Sequence, residues 1–385
     1  MINGEKTVET PIRWAMIGGG RGSQIGYIHR SSAVRDHSFA LLAGAFDLDP
    51  GRGKEFGISI GVDPDRCYAD YRTLFAEEAR REDGIEAVSI ATPNSTHYEM
   101  TKAALEAGLH VICEKPLCFK TEEAEELAKI ADEMGLVVGV MYGYSGHQMI
   151  EQARQMVARG DLGEIRLINM QFAHGAYHTA IEKENPAVKW RMDPRLAGPS
   201  CVIADVGTHP LFLAEAILQD FEIEQLLCSR KSFVEDRVLE DNAFILMNLK
   251  GGAQATLWAS AINCGSLHGQ KIRIIGSKAS IEWLDEQPNQ LAYEIEGEPA
   301  RVLERGAAYL YPEALVEDRI SAGHPEGLFD AWSNLYRRFA IAMNQSKKGE
   351  KTDFWFPDIR AGVQGVKWVE KCVESADKGA VWIEY

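Results

Sequence analysis

Apolar runs and helix-like stretches alternate over the first 142 residues of the chain. The apolar runs end at Ile17, Phe46, Ala91, Cys113 and Tyr142. Helical stretches such as 101–108 and 121–135 lie between them, with Thr121 as a candidate N-cap and Gly135 as a candidate helix end. Strands that alternate with helices predict a parallel sheet with crossover helices.

The pattern changes after about residue 145, where a helical stretch at 149–160 is followed by runs that predict strands. These runs are 165–173, 223–234, 242–250, 253–262, 271–276 and 279–284. Short turns such as Lys250-Gly251-Gly252 join several of them, which predicts a mostly antiparallel sheet. The segment 286–325 is irregular, and two amphipathic helices follow near 326–345 and 358–377.

A chain of 385 residues is too long for one compact core, since domains average roughly 150 residues. The patterns above predict an α/β protein with two domains, at 1–145 and 146–385. The last helix, 358–377, can pack back on the first domain.

Charge and composition exclude several classes of partner. The chain carries 41 Lys+Arg against 57 Asp+Glu, a net charge of −16 that repels nucleic acid and anionic membranes. No apolar run approaches the roughly 18 residues that span a bilayer. Residues 1–14 contain no apolar signal core and predict a solvated tail. A soluble, cytoplasmic protein is expected.

The seven cysteines are scattered, and only Cys113 and Cys118 lie close together, without a second pair or a nearby His. This arrangement favours buried free thiols in a reducing compartment over a metal site.

A glycine cluster follows the first predicted strand, in the run WAMIGGGRGSQIGYIHR at 14–30. Glycines there allow the backbone to approach a pyrophosphate, which the N-terminus of the following helix stabilises. The third position of G-x-G-x-x-G is Ser23, so Gly26 is expected to take over the close helix packing. The candidate cofactor residues are Gly18, Gly20, Gly22, Ser23, Gln24 and Ile25; a structural turn is the alternative.

Asp47 ends the second predicted strand, about 20 residues beyond Gly26, where an acid is placed to bind the adenosine ribose. Its carboxylate would repel a 2′-phosphate, which favours NAD over NADP, although nearby Arg52 partly offsets this repulsion. The alternative is that Asp47 starts a turn with Asp49-Pro50. Further candidates for contact with the cofactor follow the third strand: Thr92, Pro93, Asn94 and His97.

Glu114-Lys115-Pro116 ends the next strand, and ligands of open α/β sheets bind beyond the carboxyl ends of strands. We expect Glu114 and Lys115 to face the cofactor crevice. A cis bond before Pro116 would aim the lysine inward; a merely solvated lysine is the alternative.

Asp205 and His209 are four residues apart, so a helix that begins near them places both on one face. Pro210 is tolerated only in a first helical turn, which predicts that His209 lies at the helix N-terminus. The dipole there would keep the imidazole neutral, as a general base requires, and Gly207 would leave room for a ligand. The alternative is a capping Asp and a packed core His.

The second domain offers hydrogen-bonding groups that are neutral or singly charged: His174, His178, Trp190, Arg191 and His324. It contains no dense Lys/Arg cluster suited to a phosphate or a dicarboxylate. The predicted ligand is therefore an uncharged, polyhydroxylated small molecule.

These motifs together resemble the glucose–fructose oxidoreductase, inositol dehydrogenase and rhizopine-catabolism (Gfo/Idh/MocA) family, over about residues 12–380. The resemblance implies that Lys115, Asp205 and His209 form the catalytic triad and that Tyr142 lies next to the nicotinamide and substrate. It also implies an N-terminal Rossmann domain, and an open C-terminal sheet used for substrate binding and for dimer or tetramer formation. The elongated glycine loop departs from the family pattern.

The implied function is NAD-dependent oxidation of a ring secondary alcohol of a sugar, glycoside or inositol. His209 would accept the hydroxyl proton, Lys115 would stabilise the alkoxide and Asp205 would orient the imidazole or bind a hydroxyl; the first two roles can be exchanged. Two alternatives are an NAD-retaining glycosidase that acts by transient oxidation and elimination, and a non-catalytic sugar or dinucleotide sensor.

Overall fold

The computed structural model describes residue 2 and residues 4–385, and Met1 and Asn3, in the predicted solvated tail, lie outside the described residues. The chain divides into two compact units. The N-terminal unit contains residues 4–143 and 332–364, and the C-terminal unit contains 144–331 and 365–385. No described helix is both long and apolar enough to cross a membrane.

Strands and helices alternate up to Met141, as predicted. The strands are β1 (Ile12–Gly18), β2 (Phe39–Ala45), β3 (Ala87–Ala91), β4 (His110–Glu114) and β5 (Val138–Met141). The helices are α1 (Gln24–Ala33), α2 (Pro50–Ser59), α3 (Tyr71–Glu78), α4 (His97–Glu106) and α5 (Thr121–Met134). Gly135 ends α5 in the left-handed conformation, as expected. The N-cap is Lys120, and Thr121 is already helical, which corrects that prediction.

The five strands form a parallel sheet in the order β2-β1-β3-β4-β5. The predicted parallel Rossmann-type sheet is confirmed. The strand order reverses between β1 and β3, the position where ligands of open α/β sheets bind. Gly18, at the end of β1, lies opposite Ala91 at the end of β3.

The next part of the chain contributes helices and strands of the C-terminal unit. The helices are α6 (Gln148–Ala158), α7 (Pro186–Lys189), α8 (Pro194–Ala197), α9 (Thr208–Leu218) and α10 (Pro312–Leu315). The strands are β6 (Ile165–Ala173), β7 (Ile223–Lys231), β8 (Asn242–Leu249), β9 (Gln254–Ser260), β10 (Gln270–Gly276), β11 (Ala279–Leu284), β12 (Gln290–Ile295) and β13 (Arg301–Glu304). The chain ends with α11 (Leu328–Lys347), α12 (Ile359–Asp377) and β14 (Ile383–Glu384).

The strands of the C-terminal unit form one sheet in the order β13-β12-β11-β10-β6-β9-β8-β7-β14. Only the β6–β9 pair among them is parallel, so the predicted mostly antiparallel sheet is confirmed. The segment 286–325 is more regular than expected, since it contains β12, β13 and α10. β13 is mostly exposed and β12 is mostly half-buried, so these strands lack the alternation of buried and exposed residues that reveals a strand in sequence.

The described boundary between the units differs from a single division at 145/146. Residues 332–364 belong with the N-terminal sheet, because Tyr336 and Phe339 of α11 are fully buried there. A Cβ on Gly139 of β5 would lie 2.5 Å from the Phe339 ring, which shows how closely this helix packs. Residues 359–364 of α12 also belong to the N-terminal unit, whereas its remainder belongs to the C-terminal unit. An amphipathic pattern indicates that a helix buries one face but does not identify the sheet that covers it.

Candidate active site

The glycine loop after β1 approaches its surroundings too closely for side chains. A Cβ on Gly20 would lie 2.4 Å from the Phe46 carbonyl oxygen, and one on Gly26 would lie 2.1 Å from the Gly19 carbonyl oxygen. Gly18 and Gly22 adopt φ of 73° and 80°. Gly26 therefore provides the close helix packing that the sequence analysis expected of it.

Ser23 caps α1, and its Oγ accepts a hydrogen bond from the Gly26 amide at 3.0 Å. Gln24 and Ile25 begin the helix directly beside the glycine loop. The first amides of a helix lack partners within the helix and attract anions. The loop and the helix start thus fit a dinucleotide pyrophosphate held by backbone amides.

Asp47 follows β2 at the same edge of the sheet. Its Oδ1 accepts from the Asp49 amide at 2.9 Å and from Arg52 Nη2 at 2.8 Å. These two bonds lower the pKa of the Asp47 carboxyl, so the group is negative at neutral pH. Asp47 therefore begins a turn and presents a carboxylate at the strand end, so the two interpretations of this residue are compatible.

The turn after β3 is held by its own side chains. Thr92 Oγ1 lies 2.7 Å from Thr96 Oγ1, Asn94 is buried and Pro93 is exposed. The His97 ring is fully buried, with Nδ1 2.7 Å from the Pro116 carbonyl oxygen and Nε2 3.0 Å from that of Thr92, and its contact with the cofactor stays a prediction. Burial lowers the pKa of His97, and the ring connects the turns after β3 and β4.

Glu114 ends β4, and Lys115 follows it with a cis peptide bond to Pro116. Both side chains are partly exposed. Tyr142 follows β5 and is buried, and its amide donates to the Val140 carbonyl at 2.8 Å. The cofactor role of Glu114, the catalytic role of Lys115 and the substrate contact of Tyr142 stay predictions.

In the C-terminal unit, Asp205 and His209 lie on consecutive turns of two helical types. A π-helical turn at Ile203–Gly207 leads directly into α9 at Thr208. The prediction that His209 lies at a helix N-terminus is therefore corrected, and the dipole argument for its neutral state no longer holds. Pro210 is the third residue of α9, but the π-helical turn precedes it without a break, so Pro210 is not in the first turn of the helical segment and that prediction is corrected as well.

Gly207 also serves a purpose different from the expected one. A Cβ there would lie 3.1 Å from the Trp368 ring of α12, so the glycine permits helix packing rather than leaving room for a ligand.

Asp205 pairs with a neighbouring cation. Its Oδ2 lies 3.3 Å from Arg191 Nε, and the Arg191 guanidinium lies 4.5 Å from the centre of the Trp190 ring. Burial is the largest influence on Arg191 and opposes its charge, but the Asp205 carboxylate together with Tyr177 and Cys201 outweighs it, so the pKa of Arg191 is raised. The structure thus brings three predicted residues together and neutralises the Arg191 charge locally.

His174 directly follows β6, near Asp205, and its imidazole ring is neutral. Its Nδ1 accepts from the Ala176 amide at 3.1 Å, which places the proton on Nε2. Burial lowers the pKa of His174. By contrast, His178 is exposed and Nδ1 contacts the Gly175 carbonyl at 2.7 Å, while exposed His324 contacts Ser321. These last two histidines have local roles in loops.

Three residues in the surroundings of His209 were not among those predicted from the sequence. The Tyr144 ring meets the His209 ring edge-on with centroids 4.8 Å apart, and the Tyr144 hydroxyl lies 3.1 Å from His268 Nε2. His268 Nδ1 lies 2.8 Å from Asp285 Oδ2. Register explains the arrangement: β10 pairs antiparallel with β6 and β11, so residues after β6, before β10 and after β11 share one edge. These positions lie in turns, where hydrophobic periodicity gives no signal.

No group of three or more His, Cys, Asp or Glu side chains among the described residues could hold a metal ion. Cys113 and Cys118 are buried free thiols, as expected for those two, whereas Cys264 is exposed.

Two family models match the chain. Residues 12–142 match the oxidoreductase family's NAD-binding Rossmann fold, and residues 154–385 match its C-terminal alpha/beta domain, both of the Gfo/Idh/MocA type. An uncharacterized oxidoreductase of Bacillus subtilis, YfiI, is 51% identical over the whole of both chains.

Solved structures are similar over the full length. An inositol dehydrogenase homolog from Azotobacter vinelandii, complexed with NAD+, is 65% identical with a TM-score of 0.99, and each chain is fully covered. A second structure of an inositol dehydrogenase homolog from that organism, complexed with NADH and myo-inositol, is 63% identical with a TM-score of 0.96 and the same full coverage.

Replacing Asp47 with Ser should reduce the preference for NAD. We expect the ratio of kcat/KM with NAD to that with NADP to fall by about 10-fold or more, because one charge repulsion of roughly 1.4 kcal/mol is lost. Asp49→Ser is the matched control, since Asp49 caps α2 by accepting from the Arg52 amide. Steady-state kinetics with both dinucleotides measure the ratio, and a wild-type preference for NADP would contradict the assignment.

Proposed function

This chain belongs to the Gfo/Idh/MocA family of NAD-binding oxidoreductases, and we propose that it oxidises a ring secondary alcohol of an inositol or a similar neutral polyol with NAD. A sugar or glycoside with the same arrangement of hydroxyl groups is the wider substrate class. The relative crystallised with NADH and myo-inositol supports this substrate chemistry.

One observation carries the proposal: the groups around Asp205 and His209 are suited to hydroxyls rather than to anions. Arg191 is paired with Asp205, and His174 is neutral with its Nε2 proton available to donate. Tyr144 and His268 add a phenol and an imidazole beside His209. A phosphate or dicarboxylate would need uncompensated cations, whereas a polyol is bound by directed donors and acceptors.

The glycine loop and α1 would hold the pyrophosphate, Asp47 the adenosine ribose, and Thr92, Asn94 and Glu114 the nicotinamide half. When bound, NAD supplies the hydride acceptor. His209 accepts the proton of the reacting hydroxyl, and Lys115 stabilises the negative charge that develops on its oxygen. Asp205 holds Arg191 and orients the substrate hydroxyls. The proton roles of Lys115 and His209 can be exchanged within this scheme.

A substrate screen tests the proposal. The purified protein is incubated with NAD and a panel of inositols, aldoses, glycosides, sugar phosphates and 2-hydroxy acids, and NADH absorbance is recorded. We expect the highest kcat/KM with a neutral cyclic polyol. A clearly higher kcat/KM with a sugar phosphate or a 2-hydroxy acid would refute it, as would cleavage of a glycoside without net NADH.

Lys115→Met and His209→Ala should each lower kcat by about 10²–10⁴-fold, the usual scale for losing an acid–base or electrostatic group. Binding of NAD, measured by titration calorimetry, should stay near the wild-type value. Lys120→Met and His178→Ala are matched controls because both side chains are exposed. Wild-type turnover in both Lys115→Met and His209→Ala would show that the catalytic assignment is wrong.

We also propose that the protein is a homodimer or homotetramer joined through the outer face of its large sheet. Phe244 and Leu246 are 54% and 43% exposed there, and Phe244 stacks on Trp258 with centroids 5.8 Å apart. Exposed apolar patches of this kind are typical of interfaces. Arg273 and Glu282 border this face with both signs of charge and pair with each other within the chain at 3.9 Å.

Phe244→Glu should therefore shift the protein toward the single-chain mass in size-exclusion chromatography with light scattering, because it places a charge in an apolar contact. Phe233→Glu is the control, since Phe233 is 60% exposed and lies in a loop after β7. A wild-type protein that is monomeric at micromolar concentration would contradict this proposal. The cytoplasmic location stays a prediction, to be tested by cell fractionation.

A further inference from the structure

A chain of buried hydrogen bonds runs through the N-terminal unit and ends at Glu114. Trp14 Nε1 donates to Ser89 Oγ at 2.9 Å, and Ser89 Oγ lies 3.0 Å from the Tyr336 hydroxyl. The Tyr336 hydroxyl lies 2.5 Å from His29 Nδ1, and His29 Nε2 lies 3.1 Å from Glu114 Oε1. The chain connects five elements, since it passes from β1 through β3 and α11 to α1 and then to the end of β4.

For a neutral His29 ring, the direction of each bond follows from the groups at the two ends. An indole N–H can only donate, so Ser89 Oγ accepts from Trp14 and its own proton is available for the Tyr336 oxygen. Tyr336 then donates to His29 Nδ1. An ionised carboxylate can only accept, so His29 Nε2 carries the proton that is donated to Glu114.

Burial leaves these groups few alternatives. Trp14, Ser89, His29 and Tyr336 have no exposed surface, whereas the Glu114 side chain is 12% exposed. Burial also raises the pKa of Tyr336, so the phenol keeps the proton that it donates. The carboxylate at the open end of the chain is thus held from behind by a donor that water does not reach.

We propose that His29 is a positioning residue for the oxidoreductase reaction: as the neutral Nε2–H tautomer, it fixes the Glu114 carboxylate beside Lys115 for contact with the dinucleotide. The inference rests on the proposed function, because that function assigns Glu114 to the cofactor. His29 does not itself contact the reacting atoms. It transmits the rigid packing of β1, β3 and α11 to the end of β4.

The tautomer is measured on the wild-type protein without any ligand. Long-range ¹H–¹⁵N correlation spectra of protein labelled at histidine should show, for His29, a protonated Nε2 and an unprotonated Nδ1 at neutral pH. His29→Gln identifies the resonance. An imidazolium, in which both nitrogens are protonated, or a neutral ring protonated on Nδ1, would overturn the proposal.

Substitutions test the positioning role. His29→Leu should lower kcat/KM for NAD by about 10–100-fold, the scale of a hydrogen bond to a charged group, while KM for the polyol changes little. His29→Gln should restore most of this loss, because a neutral amide can also donate to Glu114 and accept from Tyr336. Equal kcat/KM for NAD in the wild type and His29→Leu would overturn the proposal.

A control separates positioning from general damage to the core. Phe339→Ala removes a fully buried ring that packs against Tyr336, and it leaves the five hydrogen-bonding side chains themselves unchanged. An equal loss of kcat/KM for NAD in Phe339→Ala and His29→Leu, without rescue by Gln, would show a merely structural role. NAD binding is measured by calorimetry for each variant in the absence of substrate. Because this measurement does not depend on the identity of the substrate, a failure to find the substrate would count only against the proposed function.

Discussion

The approach of α1 to the glycine loop leaves no room for a side chain at position 26, and much of the N-terminal unit depends on this contact. It places the start of α1 against the end of β1, where backbone amides can bind a pyrophosphate. The same placement carries His29, one turn further along α1, to Glu114 at the end of β4. The close backbone contact at Gly26 therefore positions the start of α1, where the cofactor pyrophosphate is expected to bind. It also positions His29, which contacts the Glu114 carboxylate at the end of β4.

In the C-terminal unit, local charge balance defines the chemistry. Asp205 neutralises Arg191, and the other polar groups near His209 are imidazole and phenol side chains. Such groups are suited to directed hydrogen bonds with hydroxyls, which is the basis of the proposed substrate class. The antiparallel pairing of β10 with β6 and β11 brings the segments after β6, before β10 and after β11 together, although they are distant in sequence.

Sequence patterns predicted the features of the fold and the site that depend on residues close together in the chain. Glycine spacing located the loop, the acid at Asp47 lies at the expected strand end, and alternation of strand and helix predicted the parallel sheet. Long-range packing decided the rest. His97 is of a residue type that often binds ligands, but its ring is buried between two turns. Gly207 lies against the Trp368 ring. His268 and Asp285 meet because of the register of β10 with β11, which no local pattern of these residues encodes, and Tyr144 reaches His268 from the turn before α6.

The central claim is that the chain transfers hydride from a ring carbinol carbon to NAD, and isotope transfer tests this most directly. The protein is incubated with NAD and myo-inositol deuterated at its ring carbons, and the reduced dinucleotide is analysed by mass spectrometry. We expect one deuterium per molecule of NADH formed, matched by one molecule of ketone product. Reduced dinucleotide that carries no deuterium, or no turnover of any neutral polyol in the presence of NAD, would contradict it.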